Sequence, residues 1–570
     1  MPDLPKPNSL SSGDALFLYF ERQGQPVNVA SVNVFEGVIP LDDCINFIES
    51  RLPLIPRYLQ RVVTAPYNID LPTWEYDPSF DIHNHVREIA LEHGTDAEFK
   101  EVAGKILSTS LDRRRPLWDF TLLRGLKGNR TGAILRMHHC LADGIAGVGL
   151  MNALMDTSPV PPSAKAKEHI PPPRQASPKS LLDDLIISSM TTIKRILAAE
   201  SELLTLAKQA VKGVEKQAGD GEAAGEPGKA DVPFSLLEEV VRVLPELGTP
   251  PDRLPFNVVC KGPQKFNWAE ISLAEIKAVK DACGVTVNDV VLAIVTSMVR
   301  RYAELHGVRL AGRRLRIVVP VNVRGESKTS DFGNRITFFP VDLPLDIEEP
   351  GQLIEAVRAA VARVRSAHLP ELVSMLGTWI GAIPTALQAI VGPLASQLPL
   401  SLCNLICTNV PGPQVPLYFL VRRMLSCYPY VPIGGEMGMN CAILTYDGTA
   451  YFGFTGDAHA IADLKLLDGM LTTSFAELRK AAGVRPPRRP RSPRKSKTAG
   501  RKAAAKSEKT DAGDHKPLES VKTAASTAPA SASFAAAEAA PPKPIAVSAQ
   551  PTEDSAVPEK KKAAAATAGD

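Results

Sequence analysis

The segment TGAILRMHHCLADG, residues 131–144, constrains this chain more than any other. Its first part reads as an apolar strand, and a helical pattern begins at Asp143, so a strand must pass into a helix through a short turn. Gly144 can adopt backbone shapes that other residues resist. Side chains alternate sides along an extended chain, so His138 and His139 point in opposite directions. They are therefore poor partners for one shared metal. One imidazole can face a cavity while its neighbour faces the core, which suits a base rather than a chelate. Histidine is neutral and able to accept a proton near pH 7. Asp143 has two roles open to it: orienting the imidazole of His139 as in a triad, or capping the following helix and holding an arginine so that the loop keeps its shape. The structural role is favoured, with Arg324 as the partner. A bare His-His pair reads as two structural histidines; the complete HHxxxDG string, His138 to Gly144, points to chemistry.

The surrounding sequence is α/β. Strand-like VNVASVNVFEG (27–37), a helix around CINFIESRL (44–52) and the strand 131–139 lead to the helix from Asp143. A second block contains a helix over 287–303, strands over 316–324 and 335–343, a helix near 352–367, and a strand-rich end with AILTYDG and AYFGFTGD. The spacing predicts an N-terminal half over 1–158, a linker over 159–251 and a C-terminal half over 252–483. The linker starts proline-rich and then repeats apolar residues at three- and four-residue spacing from Leu182 to Val211, which reads as an amphipathic helix. Residues 213–231 read as a flexible excursion.

From 484 to 570 the chain turns Ala/Pro/Lys-rich and carries 17 basic against 9 acidic side chains. It has too few large apolar residues to offset its ordering entropy, so disorder is expected. Its basic run from Arg485 to Lys502 suits anionic lipid headgroups or, weakly, nucleic-acid phosphates. The eight cysteines form no CxxC pair, which argues against a disulfide framework or a zinc module and for a reduced, cytoplasmic setting. No apolar leader opens the chain. The charge-free stretch 372–420 is broken by Pro384, Pro393 and Pro399, so it reads as buried core or lipid-facing surface rather than as a spanning helix. Asn288 and Asp289 open a helix; they either cap it, or Asn288 lines the site and donates to developing negative charge. His83 and His85, two residues apart, could share a face, yet no acidic or thiol partner at metal spacing stands nearby. Cys403 and Cys407 read as buried thiols.

HHCLADG, together with DALFLYFE (14–21), HVREIAL (85–91), RRRPLWDF (113–120), VNDVVLA (287–293), PVNVRGE (320–326), DFGNR (331–335) and NVPGP (409–413), resembles the bacterial wax ester synthase/diacylglycerol acyltransferase family. The resemblance extends in order over about 10–480. It implies a two-domain fold like chloramphenicol acetyltransferase with a substrate tunnel between the halves. It also implies that His139 is the general base, in a catalytic set with His138 and Asp143 and with Gly144 and Arg324 supporting the motif. The alcohol acceptor would be diacylglycerol or a long-chain alcohol, the donor acyl-CoA as a substrate, with no metal or other cofactor. Trp118 of the Pro-Leu-Trp string would be part of the tunnel and, with Asn288, contact substrate. Insoluble products imply peripheral association with a membrane or lipid droplet. A condensation-type transferase using a carrier-protein thioester, and a non-catalytic lipid-binding protein, are the rival readings. One departure stands out: the family's PMHVG-like string is Pro26-Val27-Asn28-Val29-Ala30 here, so Asn28 replaces a histidine.

Overall fold

The computed structural model describes residues 8–22, 24–65, 68, 70–141, 144–160, 251–322, 336–366 and 403–486. Asp143, Arg324, the amphipathic linker segment 182–211, the excursion 213–231, most of the charge-free stretch and the basic run beyond residue 486 lie outside those residues.

Two six-stranded mixed sheets carry the fold. The first is built from β1 (Asn28–Glu36), β4 (Val86–Ala90), β5 (Trp118–Leu126) and β6 (Arg130–His138), with β2 (Gln60–Val63) and β3 (Thr73–Tyr76) as a separate ribbon. Its helices are α1 (Ser12–Phe20), α2 (Leu41–Arg51), α3 (Asp96–Leu107) and α4 (Gly144–Leu154). The second sheet comprises β7 (Gln264–Ser272), β8 (Arg314–Asn322), β9 (Ile336–Pro344), β10 (Leu405–Pro411), β13 (Met439–Tyr446) and β14 (Thr449–Asp457). Against it pack α5 (Leu273–Cys283), α6 (Val287–Leu305), α7 (Pro350–Ser366) and α8 (Leu467–Ala481).

Local chemistry sets the helix starts. Ser11 caps α1 by accepting the Asp14 N–H at 3.0 Å, and Thr95 caps α3 by accepting from Glu98 N–H at 3.2 Å. Thr286 and Asp289 form a reciprocal capping box on α6. Gly284, at φ 65, supplies the left-handed residue that ends α5.

The halves do not keep to their own sheets. Strands β11 (Tyr418–Phe419) and β12 (Arg422–Tyr430) come from the C-terminal half, yet the first sheet runs β11-β12-β1-β6-β5-β4. β12 pairs antiparallel with β1, Val32 opposite Tyr428, and β1 pairs antiparallel with β6, Asn28 opposite His138. Phe419, Met424, Cys427 and Tyr430 accordingly bury themselves in the N-terminal core. Where β12 crosses β14 the backbones nearly touch: a Cβ on Gly453 would lie 1.9 Å from the Pro429 carbonyl oxygen. Only glycine permits that approach.

Strand β6 divides its side chains between two layers. Positions 132 and 136 face α3: a Cβ at Gly132 would meet Phe99 at 2.9 Å, and the buried Arg136 guanidinium donates to the Thr109 carbonyl at 2.7 Å. Leu135 and Met137 face the other way, opposite Phe120 and Trp118 of β5. Phe120 stacks on Phe419, which in turn meets Phe47 of α2 edge-on.

Candidate active site

The alternation of β6 continues through the histidine pair. The His138 N–H donates to Leu117 O and the His139 N–H to Val27 O, both at 2.9 Å, so the two amides bind chains on opposite flanks as extended residues do. The side chains separate accordingly. His138 is fully buried and His139 half-buried.

His138 is held where burial disfavours its protonated form. Its Nδ1 accepts the Cys140 N–H at 3.1 Å, which assigns the hydrogen to Nε2. Nε2 lies 3.8 Å from Glu21 Oε2. Burial, reinforced by the positive Arg113 and by His139, pushes its pKa down from the ordinary 6.5 to about 3. The resemblance places His138 in the catalytic set; the structure places it as a neutral ring enclosed by the protein and bonded to the turn that follows.

Glu21 and Arg113, to which the motif alone assigns nothing, build the wall behind it. Arg113 grips Glu21 Oε2 with Nε at 3.0 Å and Nη2 at 2.8 Å, and Nη2 also donates to Leu18 O at 2.6 Å. The remaining Glu21 oxygen takes the Val27 N–H at 3.3 Å. The end of α1 is thereby tied to the segment before β5. Asn28, directly opposite His138, is fully buried and donates to Thr109 O at 3.1 Å. The departure from the family string therefore sits beside the buried histidine rather than along an open passage.

His139 faces the other layer. Phe17 of α1 stacks on its imidazole with ring centroids 4.0 Å apart and planes 19° from parallel. Such a stack fixes the ring plane. The adjacent Cys140 thiol is pushed far above its usual value, first by burial and then by the charge of Asp14, so it offers no thiolate nucleophile. Asp143 and its expected partner Arg324 lie outside the described residues; α4 begins at Gly144, the last residue of the motif.

Trp118, expected from the resemblance to belong to the tunnel, is placed in a buried position. Its indole is 3% exposed, donates to Tyr58 O at 2.8 Å and stacks on His85 at 4.6 Å. It belongs to the hydrophobic core because it stands opposite Met137 on a central strand. His85 is buried between Phe80 and Trp118, whereas His83 is exposed beside Asp81, so these two share no site. Asn288 is half-buried in the first turn of α6, where Thr286 and Asp289 do the capping. Cys403 and Cys407 are both buried, as expected. Among the described residues no group of His, Cys, Asp or Glu could hold a metal ion, and no single helix is long and apolar enough to cross a membrane.

Residues 10–291 match the wax ester synthase/diacylglycerol acyltransferase catalytic domain, and residues 332–479 match the C-terminal domain of the same family. The chain belongs to the wax ester synthase/diacylglycerol acyltransferase family. It is therefore an acyltransferase. Its relatives in that family include a probable diacylglycerol O-acyltransferase of Mycobacterium tuberculosis, 28% identical over 477 residues that span 83% of this chain and 96% of the relative. A putative diacylglycerol O-acyltransferase of the same organism is 29% identical over 471 residues, spanning 80% and 87%. Among solved structures, the wax ester synthase/diacylglycerol acyltransferase from Marinobacter aquaeolei shares the fold, with a TM-score of 0.57, 21% identity and coverage of 84% of this chain and 100% of that one. The first condensation domain of the calcium-dependent antibiotic synthetase shares it at TM-score 0.50 and 14% identity, over 83% of this chain and 97% of that one. Family membership and fold thus agree with the mixed α/β, two-domain architecture like chloramphenicol acetyltransferase expected from the sequence.

Proposed function

We propose that this acyltransferase moves a fatty acyl group from acyl-CoA to the hydroxyl of diacylglycerol or of a long-chain alcohol, with His139 as general base. The observation that carries the reading is the division of the histidine pair. One ring is neutral and enclosed; the other, one residue on, is half-buried with its plane set by Phe17. His139 takes the proton of the acceptor hydroxyl as its oxygen attacks the thioester carbonyl. The tetrahedral oxyanion collapses, the carbon–sulfur bond breaks, and the departing CoA thiolate takes the proton back from His139. No acyl-enzyme and no cofactor are needed, since holding two substrates at one base removes much of the entropic barrier. Asp143 and Arg324 are proposed to keep the motif turn in shape.

Access to insoluble substrates implies work at a membrane or droplet surface. Support comes from the exposed Val421 and Leu425, which flank the exposed Arg422 and Arg423 at the edge of the first sheet. The test uses the purified chain with labelled oleoyl-CoA and either diolein or hexadecanol. His139→Ala is expected to lower turnover by about 10²–10⁴-fold with an unchanged melting curve. Near wild-type turnover in that variant would remove His139 from the mechanism, and turnover with acyl-carrier protein but not with acyl-CoA would overturn the donor assignment.

A further inference from the structure

Behind the motif lies a small cavity whose lining is carbon. α2 contributes Ile48 and Leu52, the sheet Phe120 and Leu135, and α4 Leu150 and Leu154. It is about the size of a single water, but water requires two or more polar partners that this lining does not supply, so the space is suited to an apolar occupant. Side chains around such a void lack dispersion contacts that a hydrocarbon group would restore.

Its placement relative to His139 follows from strand geometry. Leu135, Met137 and His139 occupy alternate positions of one extended run, so the cavity and the half-buried imidazole share a layer. Four residues at ~3.3 Å each put Leu135 about 13 Å from His139. The path between them passes Met137 and its opposite residue Trp118. Met137 Sδ accepts a hydrogen bond from the Tyr58 hydroxyl at 3.5 Å, and Tyr58 and Trp118 also line the cavity. An unbranched thioether with three rotatable bonds is the side chain best able to move aside for a flexible guest. The helix agrees with the strand: α4 starts at Gly144, the last residue of the motif, and covers the cavity with Leu150 and Leu154, about 9 and 15 Å along its axis.

Resting on the proposed transfer reaction, we infer that this cavity receives the methyl end of a substrate hydrocarbon chain whose reacting end lies at His139, and that its size sets the preferred chain length. The chain runs back along the layer shared by β6 and α4, displacing Met137. Ile48 forms the floor on the side of α2 and takes no part in the chemistry, so it is the position at which cavity size can be changed alone.

The experiment compares wild type, Ile48→Phe and Ile48→Val, each checked by its melting curve, in two series. In one the acyl-CoA varies from octanoyl to stearoyl with diolein fixed; in the other the acceptor alcohol varies from octanol to octadecanol with oleoyl-CoA fixed. Ile48→Phe is expected to lower kcat/KM for the longest chain relative to the shortest by about tenfold or more, as a lost methylene site does in an apolar pocket. Ile48→Val shifts the ratio the other way. A shift confined to the donor series identifies the guest as the acyl group, and one confined to the acceptor series identifies it as the alcohol chain; either supports the inference. An equal change at every chain length in both series overturns it. Displacement of a fluorescent long-chain fatty acid by free fatty acids of graded length is measured alongside. If wild type transfers nothing, the transfer reading fails, while the length dependence of displacement still decides the cavity: a dependence moved by Ile48→Phe supports it, and an unmoved one overturns it.

Discussion

Replacing His138 by asparagine should make the protein less sensitive to acid, because the enclosed ring disfavours its protonated form. In the folded chain the ring is neutral down to about pH 3, against 6.5 in an unfolded chain. Between those limits the unfolded state binds a proton that the folded state excludes, so stability is complete above ~6.5 and is lost as the pH falls. Each pH unit within that window removes about 1.36 kcal/mol, so the loss by pH 4.5 is about 3 kcal/mol, approaching ~5 kcal/mol near pH 3. The group is fully enclosed, so solvent screening takes little from this figure. Asparagine keeps an acceptor near the Cys140 N–H but does not titrate. Urea unfolding of both proteins at pH 7.5 and 4.5 gives four free energies. Their double difference is expected near 3 kcal/mol in favour of the variant at low pH, whatever the substitution costs at pH 7.5. Buried His85, whose burial likewise depresses its pKa, is present in both chains and cancels. Equal acid losses in wild type and variant would show that His138 is not excluded from protonation, and the division of roles within the pair would fall with it.

Arg136 is 2% exposed and grips Asp119 through Nε at 2.9 Å, so Arg136→Met should leave that buried carboxylate to Arg87 alone and cost about 1.5–3 kcal/mol in urea unfolding; a loss under 1 kcal/mol would contradict the pairing. Gly453→Ala should lose more than about 4 kcal/mol or fail to fold, since its Cβ would collide with a backbone oxygen; soluble, wild-type-like protein would refute the close crossing of β12 and β14. Leu420 and Val421 both have positive φ, at 49° and 60°, at the tip of the β11–β12 hairpin. Val421→Asn, which accepts that backbone more readily, should raise stability by about 1 kcal/mol, read as a higher melting temperature; a lower one would refute the strain.

The strands and helices that carry the motif were legible because their periodicity is local. The run 131–139 is a strand at 130–138, and the alternation that separates His138 from His139 follows from extended geometry alone. What escaped the sequence is long-range. Glu21 and Arg113 stand 92 positions apart, and both strings containing them were visible, but no spacing rule pairs a helix end with a distant loop. Trp118 was readable only through a family string, as part of the tunnel; that it stands opposite Met137 on the neighbouring strand is a pairing no local spacing reveals. At 286–289 a signal existed and pointed elsewhere, since Thr-x-x-Asp is a capping spacing that leaves Asn288 out of the cap.

The exchanged strand gives the motif a dependence on the C-terminal half that the linear order of the chain conceals. β6 rests on β1, and β1 rests on β12, so the strand bearing the histidine pair is two ladders from a segment some 290 positions later. Without β12, all nine residues of β1 would present an open edge with Val32, Val34 and Phe35 in its run. Native sheets avoid such edges because they template aggregation. The N-terminal core would also lose Phe419, which packs against both Phe120 of β5 and Phe47 of α2. Residues 1–160 expressed alone should therefore be aggregated or molten, and co-expression with 252–486 should restore soluble protein in which the two pieces copurify. A monomeric, cooperatively unfolding 1–160 fragment would show that the first sheet closes without its borrowed strand, and the site would then belong to one half.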